Sequence, residues 1–203
     1  MKNLILTFII ISSGMSNCQN KSDNSINNKP AEDLIRMNDY AVKLSTIDNN
    51  DKDSALKALS ILSEIIRIDS TYLIAHNNRL SVLIALKERE KALSQINKII
   101  SIRKEDSGLH MIKGHILEKL NLKEEAKKEY LIAETLCKQQ IKESPKNINL
   151  RATLLFIHGL TQSSESLRAE YDTLKKEFPL EPKVTMMEEI IMKFNKEKFL
   201  EMY

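Results

Sequence analysis

Residues 91–100 of the chain read KALSQINKII, and residues 57–66 read KALSILSEII. The two stretches lie 34 positions apart, and a third, EAKKEYLIAE at residues 125–134, follows at the same interval. In each stretch an alanine (Ala58, Ala92 or Ala126) precedes a bulky residue by four positions and an apolar or small residue by seven. Spacings of four and seven place these residues on one face of an α-helix. The alanine lets a neighbouring helix approach closely, so the repeat predicts helices that pack in pairs.

The residues between these stretches repeat with the same period. His76 and His110 are 34 positions apart, as are Leu83 and Leu117. Each period therefore has room for two amphipathic helices of about a dozen residues. Neither helix can bury its apolar face without the next pair, so successive pairs are expected to share one hydrophobic core.

The period, together with three sequence details, resembles a tetratricopeptide repeat array. The details are Gly114 in a first helix, the Ala126, Tyr130 and Ala133 run in a second helix, and Pro179 closing a later unit. The resemblance implies an all-α, right-handed solenoid of helical hairpins that ends in a C-terminal capping helix. It also implies the residues at which the helices pack, which are Ala58, Ala92, Ala126, Tyr130 and Gly114.

The phase of the repeat divides residues 30–203 into four units and a cap. The third unit contains seven extra residues, which we assign to a long second helix that ends near Glu143. The cap carries an apolar stripe that would seal the last repeat; the methionines Met186, Met187 and Met192 leave a docking helix as the alternative. The stripe consists of Val184, Met187, Ile191, Phe194 and Leu200. The predicted units are 39–72, 73–106, 107–147 and 148–181, followed by a capping helix at 182–202.

Composition supports the helical prediction and argues against nucleic-acid binding. The chain has only four glycines, four prolines and no tryptophan, which favours helices over strands joined by tight turns. Its 31 basic and 28 acidic residues are interspersed, giving a net charge of +3. With five Tyr and five Phe there is no aromatic ladder to accompany the lysines, so no nucleic-acid partner is expected.

The amino terminus predicts an export signal over residues 1–17, and the stretch from Met15 to Cys18 at its end resembles the box of a bacterial lipoprotein signal peptide. Lys2 precedes a short apolar stretch from Leu4 to Ile11, and Cys18 follows it where the signal should end. We expect Cys18 to carry the lipid; the alternative is an ordinary secreted protein in which Cys18 is incidental. Residues 18–29 are mostly polar and predict a disordered tether. The expected location is the bacterial cell envelope, anchored to a membrane, with the outer membrane and a periplasm-facing domain as the favoured arrangement.

Motifs for catalysis or for a bound metal are missing from the sequence. There is no Gly-x-Ser-x-Gly stretch, no Gly-rich phosphate loop and no His-Glu-x-x-His stretch. His115 and Glu118 share a helix face, but two ligands do not make a metal site. His76 and His110 are expected to be packing residues, and Cys137 a buried filler. We therefore predict no catalytic residue, no metal and no cofactor.

The function that the repeat implies is protein binding through a groove. In tetratricopeptide arrays the first helices of successive pairs line one side, which suits an extended peptide or a partner helix. We therefore expect a scaffold or adaptor that binds a protein or peptide partner in the envelope; the alternative is an accessory lipoprotein that binds a solute or peptide. The predicted groove residues are Asn77, Asn78, Ser81, Ile84, Met111, Ile112, His115 and Glu118.

Overall fold

A computed structural model describes residues 29–47 and 51–201 of the chain, and every regular element in these ranges is an α-helix. The predicted signal peptide, the lipid-bearing Cys18 and all but the last residue of the predicted tether lie outside the described residues. None of the described helices combines the length and the apolar character that crossing a membrane requires. The helices are α1 (Lys29–Ile47), α2 (Lys52–Ile68), α3 (Leu73–Ala85), α4 (Arg89–Ile102), α5 (Ser107–Lys119), α6 (Lys123–Glu143), α7 (Ile148–Thr161), α8 (Ser164–Glu177), α9 (Pro182–Met192) and α10 (Lys196–Glu201).

Polar side chains fix where several of these helices begin. Asp51 accepts a hydrogen bond from the Asp53 amide at the start of α2. Asn147 does the same for α7, and Ser163 for α8. Such caps satisfy amide groups that have no partner inside the helix, and each stabilises its helix by about 1 kcal/mol.

The described residues form two compact units that divide between Lys104 and Glu105. In the N-terminal unit, α1 packs on α2, α2 on α3 and α3 on α4, and α1 also contacts α3. In the C-terminal unit, α5 to α9 pack in the same sequential way, and α5 contacts α7 while α7 contacts α9. Within each unit, therefore, helices form hairpins whose first members touch, which is a tetratricopeptide-like arrangement.

The hairpin turns repeat the 34-residue period in their backbone conformation. Lys87 and Asn121, 34 positions apart, adopt positive φ angles of 59° and 61°. In both turns the following residue donates its backbone amide to a carbonyl five positions earlier. Glu88 donates to Leu83 at 3.0 Å, and Leu122 donates to Leu117 at 2.9 Å. This is the left-handed helix ending that usually carries glycine. Here lysine and asparagine occupy it.

The small residues of the repeat lie at close helix contacts. Ala58, Ala92 and Ala126 are 0%, 1% and 0% exposed, and each lies near the start of the second helix of its hairpin. At Gly114 in α5, an added Cβ would lie 2.5 Å from Cε1 of Tyr130 in α6. That distance is shorter than carbon atoms tolerate, so the tyrosine ring fits against α5 because Gly114 has no side chain.

A polar contact holds the two helices of a hairpin together and also recurs after 34 residues. In the N-terminal unit, His76 Nδ1 lies 2.9 Å from Gln95 Nε2, and Arg79 donates to Gln95 Oε1 at 2.6 Å. In the C-terminal unit, the equivalent residues are His110, whose Nδ1 lies 2.7 Å from Glu129 Oε2, and Lys113, whose Nζ lies 2.7 Å from Glu129 Oε1. Both histidines are thus packing residues that bridge a first helix to a second.

The predicted boundaries agree with the structure at the end of α6 and differ from it in the segment predicted as the cap. Helix α6 ends at Glu143, as the seven extra residues predicted. The segment predicted as one capping helix, however, contains two helices, because α9 ends at Met192 and α10 begins at Lys196. The cause is Asn195, whose side chain accepts a hydrogen bond from the Lys198 amide at 2.8 Å and starts a new helix.

Candidate peptide-binding groove

Helix α10 lies across the first helices of the C-terminal unit. Together with Phe194, which lies just before it, α10 covers the face of α5 that carries His115 and Glu118 and the face of α7 that carries Phe156 and Gly159. We call this surface the groove. Within each helix the two groove residues are three positions apart, a spacing that places them on the same side.

Phe199 of α10 is the apolar contact with the groove. Its ring centroid lies 5.9 Å from that of His115 in an edge-to-face arrangement, and 6.4 Å from that of Phe156 with the rings stacked. Phe194, just before α10, lies 5.4 Å from Phe199 and covers Gly159, where an added Cβ would be 2.9 Å from its Cζ. Phe199 is 4% exposed. Aromatic pairs in these geometries contribute about 0.5–1.5 kcal/mol beyond the area they bury.

Lys196 of α10 supplies the polar contact. Its Nζ lies 2.8 Å from Glu118 Oε1 and 6.0 Å from the centre of the Tyr130 ring. The hydroxyl of Tyr130 donates to the other oxygen of Glu118 at 3.3 Å. Both carboxylate oxygens of Glu118 therefore have donors, and one of those donors comes from the segment that occupies the groove. Burial, and then the neighbouring Glu118 charge, raise the pKa of Tyr130, so its hydroxyl stays protonated.

His115 is an uncharged member of the groove. Burial, and to a lesser degree the positive charges of Lys119 and Lys196, lower its pKa from 6.5 to about 3. A neutral imidazole ring can pack edge-on against Phe199 without the desolvation cost of a buried charge. The groove is therefore apolar at His115 and acidic at Glu118.

The structure distributes the eight predicted groove residues over both units. His115 and Glu118 contact α10; Ile112 is half-buried and Met111 is buried in the same helix. The other four belong to α3 of the N-terminal unit. There Asn78 donates to Asn38 of α1 at 2.8 Å, so it links two first helices, while Asn77, Ser81 and Ile84 are half-buried.

Other polar clusters of the C-terminal unit have structural partners. His158 is buried with Glu170 Oε2 at 2.5 Å from its Nδ1 and Glu134 Oε1 at 3.3 Å from its Nε2. Among the described residues, no three His, Cys, Asp or Glu side chains are grouped so as to hold a metal ion. Cys137 is buried, and burial raises its pKa to about 11. A thiol with so high a pKa is a poor nucleophile at neutral pH.

A small cleft of about 190 Å³ lies between α7 and α8. Pockets that enclose a drug-sized ligand usually measure about 300–1,000 Å³. The cleft includes Arg151, Glu170 and Glu177 and none of the eight predicted groove residues. It therefore gives no support to solute binding at the predicted position.

Sequence reasoning missed the residues that fill the groove. Phe194 was assigned to the apolar stripe of one continuous cap, and Phe199 was assigned no role. The signal that identifies them is Asn195, because an asparagine three positions after Met192, the last residue of α9, with Lys and Glu following, is a typical start of a new helix. Placing that start at Lys196 puts Lys196 and Phe199 on one side of α10, three positions apart.

Comparisons with known proteins agree with the geometry of the hairpins. No protein-family model matches the chain, and no curated protein matches it. Among solved structures, it is similar to a tetratricopeptide repeat protein from Parabacteroides merdae ATCC 43184, with a TM-score of 0.54 and 16% sequence identity. The similarity covers 77% of this chain and 57% of the other, so the chain spans little more than half the length of that protein. At this identity the likeness establishes the fold: the described residues form a tetratricopeptide-like array of helical hairpins.

Proposed function

We propose that the chain is a non-enzymatic protein-interaction module, tethered to a membrane through a lipid on Cys18 and acting as a scaffold or adaptor in the bacterial cell envelope. The fold suggests an interaction module, since its hairpins present first helices to partners. The observation that carries the proposal is the seating of α10, because a surface that holds one helical segment by an aromatic anchor and an ion pair is suited to peptide recognition.

The interaction can be tested by placing a photo-crosslinking amino acid at Ile112, which is half-buried beside the groove residues of α5. In bacterial cells that express the chain, this position should give a discrete adduct with a second protein. The matched control is Leu131 of α6, which is 64% exposed and belongs to the second helix of the same hairpin. Equal adducts at both positions, or none at Ile112, would count against an interaction module that uses this face.

The tether is supported by the sequence from Met15 to Cys18, which ends an apolar signal with a cysteine. Labelled palmitate should be incorporated into the wild-type chain and lost in Cys18→Ser. Cys137→Ser is the matched control, because Cys137 is buried and should leave the labelling unchanged. Labelling that survives in Cys18→Ser would refute the lipid anchor and favour an ordinary secreted protein.

A further inference from the structure

We propose that the groove binds a helical segment of a partner protein that carries a lysine or arginine three residues before a phenylalanine, and that this segment competes with α10. The inference rests on the proposed function and specifies the partner's chemistry. Its basis is the way α10 itself is held, because Lys196 and Phe199 show which side chains the groove accepts and at what spacing.

The apolar part of the groove is shaped for an aromatic ring. Phe199 meets His115 edge-on at an interplanar angle of 89° and Phe156 nearly parallel at 23°. Flat surfaces in these two orientations suit a planar side chain, whereas an aliphatic one would lose the quadrupole contacts. Buried aromatic anchors in well-packed pockets are also among the side chains that supply most of the binding energy of protein interfaces.

The acidic part of the groove selects a cation. The Glu118 side chain is only 15% exposed, and Lys196, at 34%, retains contact with water. If α10 leaves, the Glu118 carboxylate loses the ammonium group and keeps the Tyr130 hydroxyl. A partner segment that covers Glu118 as α10 does withdraws the carboxylate from water again, so it must supply a cation, and a like charge there is disfavoured.

The hold on α10 is weak enough for exchange. The helix has six residues, and isolated helices of fewer than about 12 residues are marginal in water. Lys198 on its outer side is exposed, and the contacts of α10 with the groove described above come from two of its side chains, Phe199 and Lys196. Segments with few buried contacts open at lower free energy than the rest of a domain.

The test uses a fluorescein-labelled peptide with the sequence of residues 193–201, KFNKEKFLE, titrated with the full-length chain. Wild type should bind it weakly, because α10 occupies the groove. Phe199→Ala and Lys196→Glu each release α10 in a different way, and both should bind the peptide about tenfold more tightly or better, since a competent groove is then populated more often. Lys198→Glu makes the same charge change on the exposed side and should bind like wild type.

Specificity is checked in the Phe199→Ala background. A peptide with alanine at the position of Phe199 should not bind, and adding Glu118→Lys should abolish binding of the original peptide. A peptide with glutamate at the position of Lys196 should then restore it. Circular dichroism of each variant verifies that the helices remain folded.

Three outcomes would overturn the proposal. The first is equal affinity of wild type and both released variants for the peptide, and the second is equal affinity for peptides with and without the phenylalanine. The third is a wild-type dimer that Phe199→Ala abolishes, because that result would identify a second copy of the chain as the occupant of the groove. A crosslinked partner at Ile112 without peptide binding would contradict this inference and leave the proposed function standing. If neither the crosslink nor peptide binding is found, both this inference and the proposed function are contradicted.

Discussion

Lys196 Nζ lies 2.8 Å from Glu118 Oε1, which ties helix α10 to helix α5 across the first helices of the C-terminal unit. With Phe199 stacked on Phe156, this ion pair places a helical segment on the surface where the repeat predicts a binding groove. If a partner binds this surface as proposed, α10 must leave it first.

Replacing Ala126 with leucine should lower the free energy of unfolding by about 1–3 kcal/mol, because the added methylenes overpack a contact in which the alanine is 0% exposed. Ala92→Leu should behave alike. The control is Ala169→Leu in α8, an exposed site where the same change should be nearly neutral. Urea unfolding followed by circular dichroism measures the difference. Equal stability of the Ala126 and Ala169 variants would show that the repeat phase is misplaced.

Lys87 offers the opposite change, a substitution that stabilises. Its φ of 59° lies in the left-handed region, which costs a residue with a Cβ about 1–2 kcal/mol. Lys87→Gly should therefore raise the thermal unfolding midpoint, and Lys87→Asn, which copies the equivalent Asn121, should raise it less. Lys91→Gly in the following helix should lower it, since glycine weakens a helix interior. A fall in the midpoint of Lys87→Gly would contradict the turn geometry.

The hairpins could be predicted from the sequence because their signal repeats. Ala58, Ala92 and Ala126 show the period directly, and one face of each second helix follows from it. The Gln95 and Glu129 contacts also recur after 34 residues, yet they escape notice because a glutamine and a glutamate fill the same place. A period search by residue type does not detect a position that keeps only its hydrogen-bonding role.

The filled groove could not be predicted in the same way, because α10 occurs once. Its position depends on contacts between residues far apart in sequence, such as Phe199 with His115, and no local pattern encodes them. The apolar stripe through Phe194 fits one long helix as well as two. Whether α9 continues or a new helix begins after Asn195 depends on tertiary contacts, and the packing of Phe194 over Gly159 favours two helices.

His115 should make the stability of the C-terminal unit depend on pH. Its pKa is about 3 in the folded chain and 6.5 in the reference state, so the unfolded chain takes up more protons as the pH falls below 6.5. Stability is then lost progressively between pH 6.5 and about 3, by about 2 kcal/mol from pH 7 to pH 5. Lys119 and Lys196 repel the protonated ring and act in the same direction.

The matched variant for this prediction is His115→Leu, which keeps an apolar contact with Phe199 and removes the titrating group. Urea unfolding at pH 7 and pH 5 should show a smaller loss of stability in this variant than in wild type. Some loss remains in both proteins, because their carboxylates also titrate. The same pH dependence in wild type and variant would mean that His115 is not held neutral by burial.

The seating of Phe199 can be measured directly by nuclear magnetic resonance on the full-length chain with labelled phenylalanine and histidine. Nuclear Overhauser effects should connect the Phe199 ring protons to those of both His115 and Phe156, and should disappear in Lys196→Glu while persisting in Lys198→Glu. A wild-type Phe199 ring with random-coil chemical shifts and no such effects would contradict a groove filled by α10.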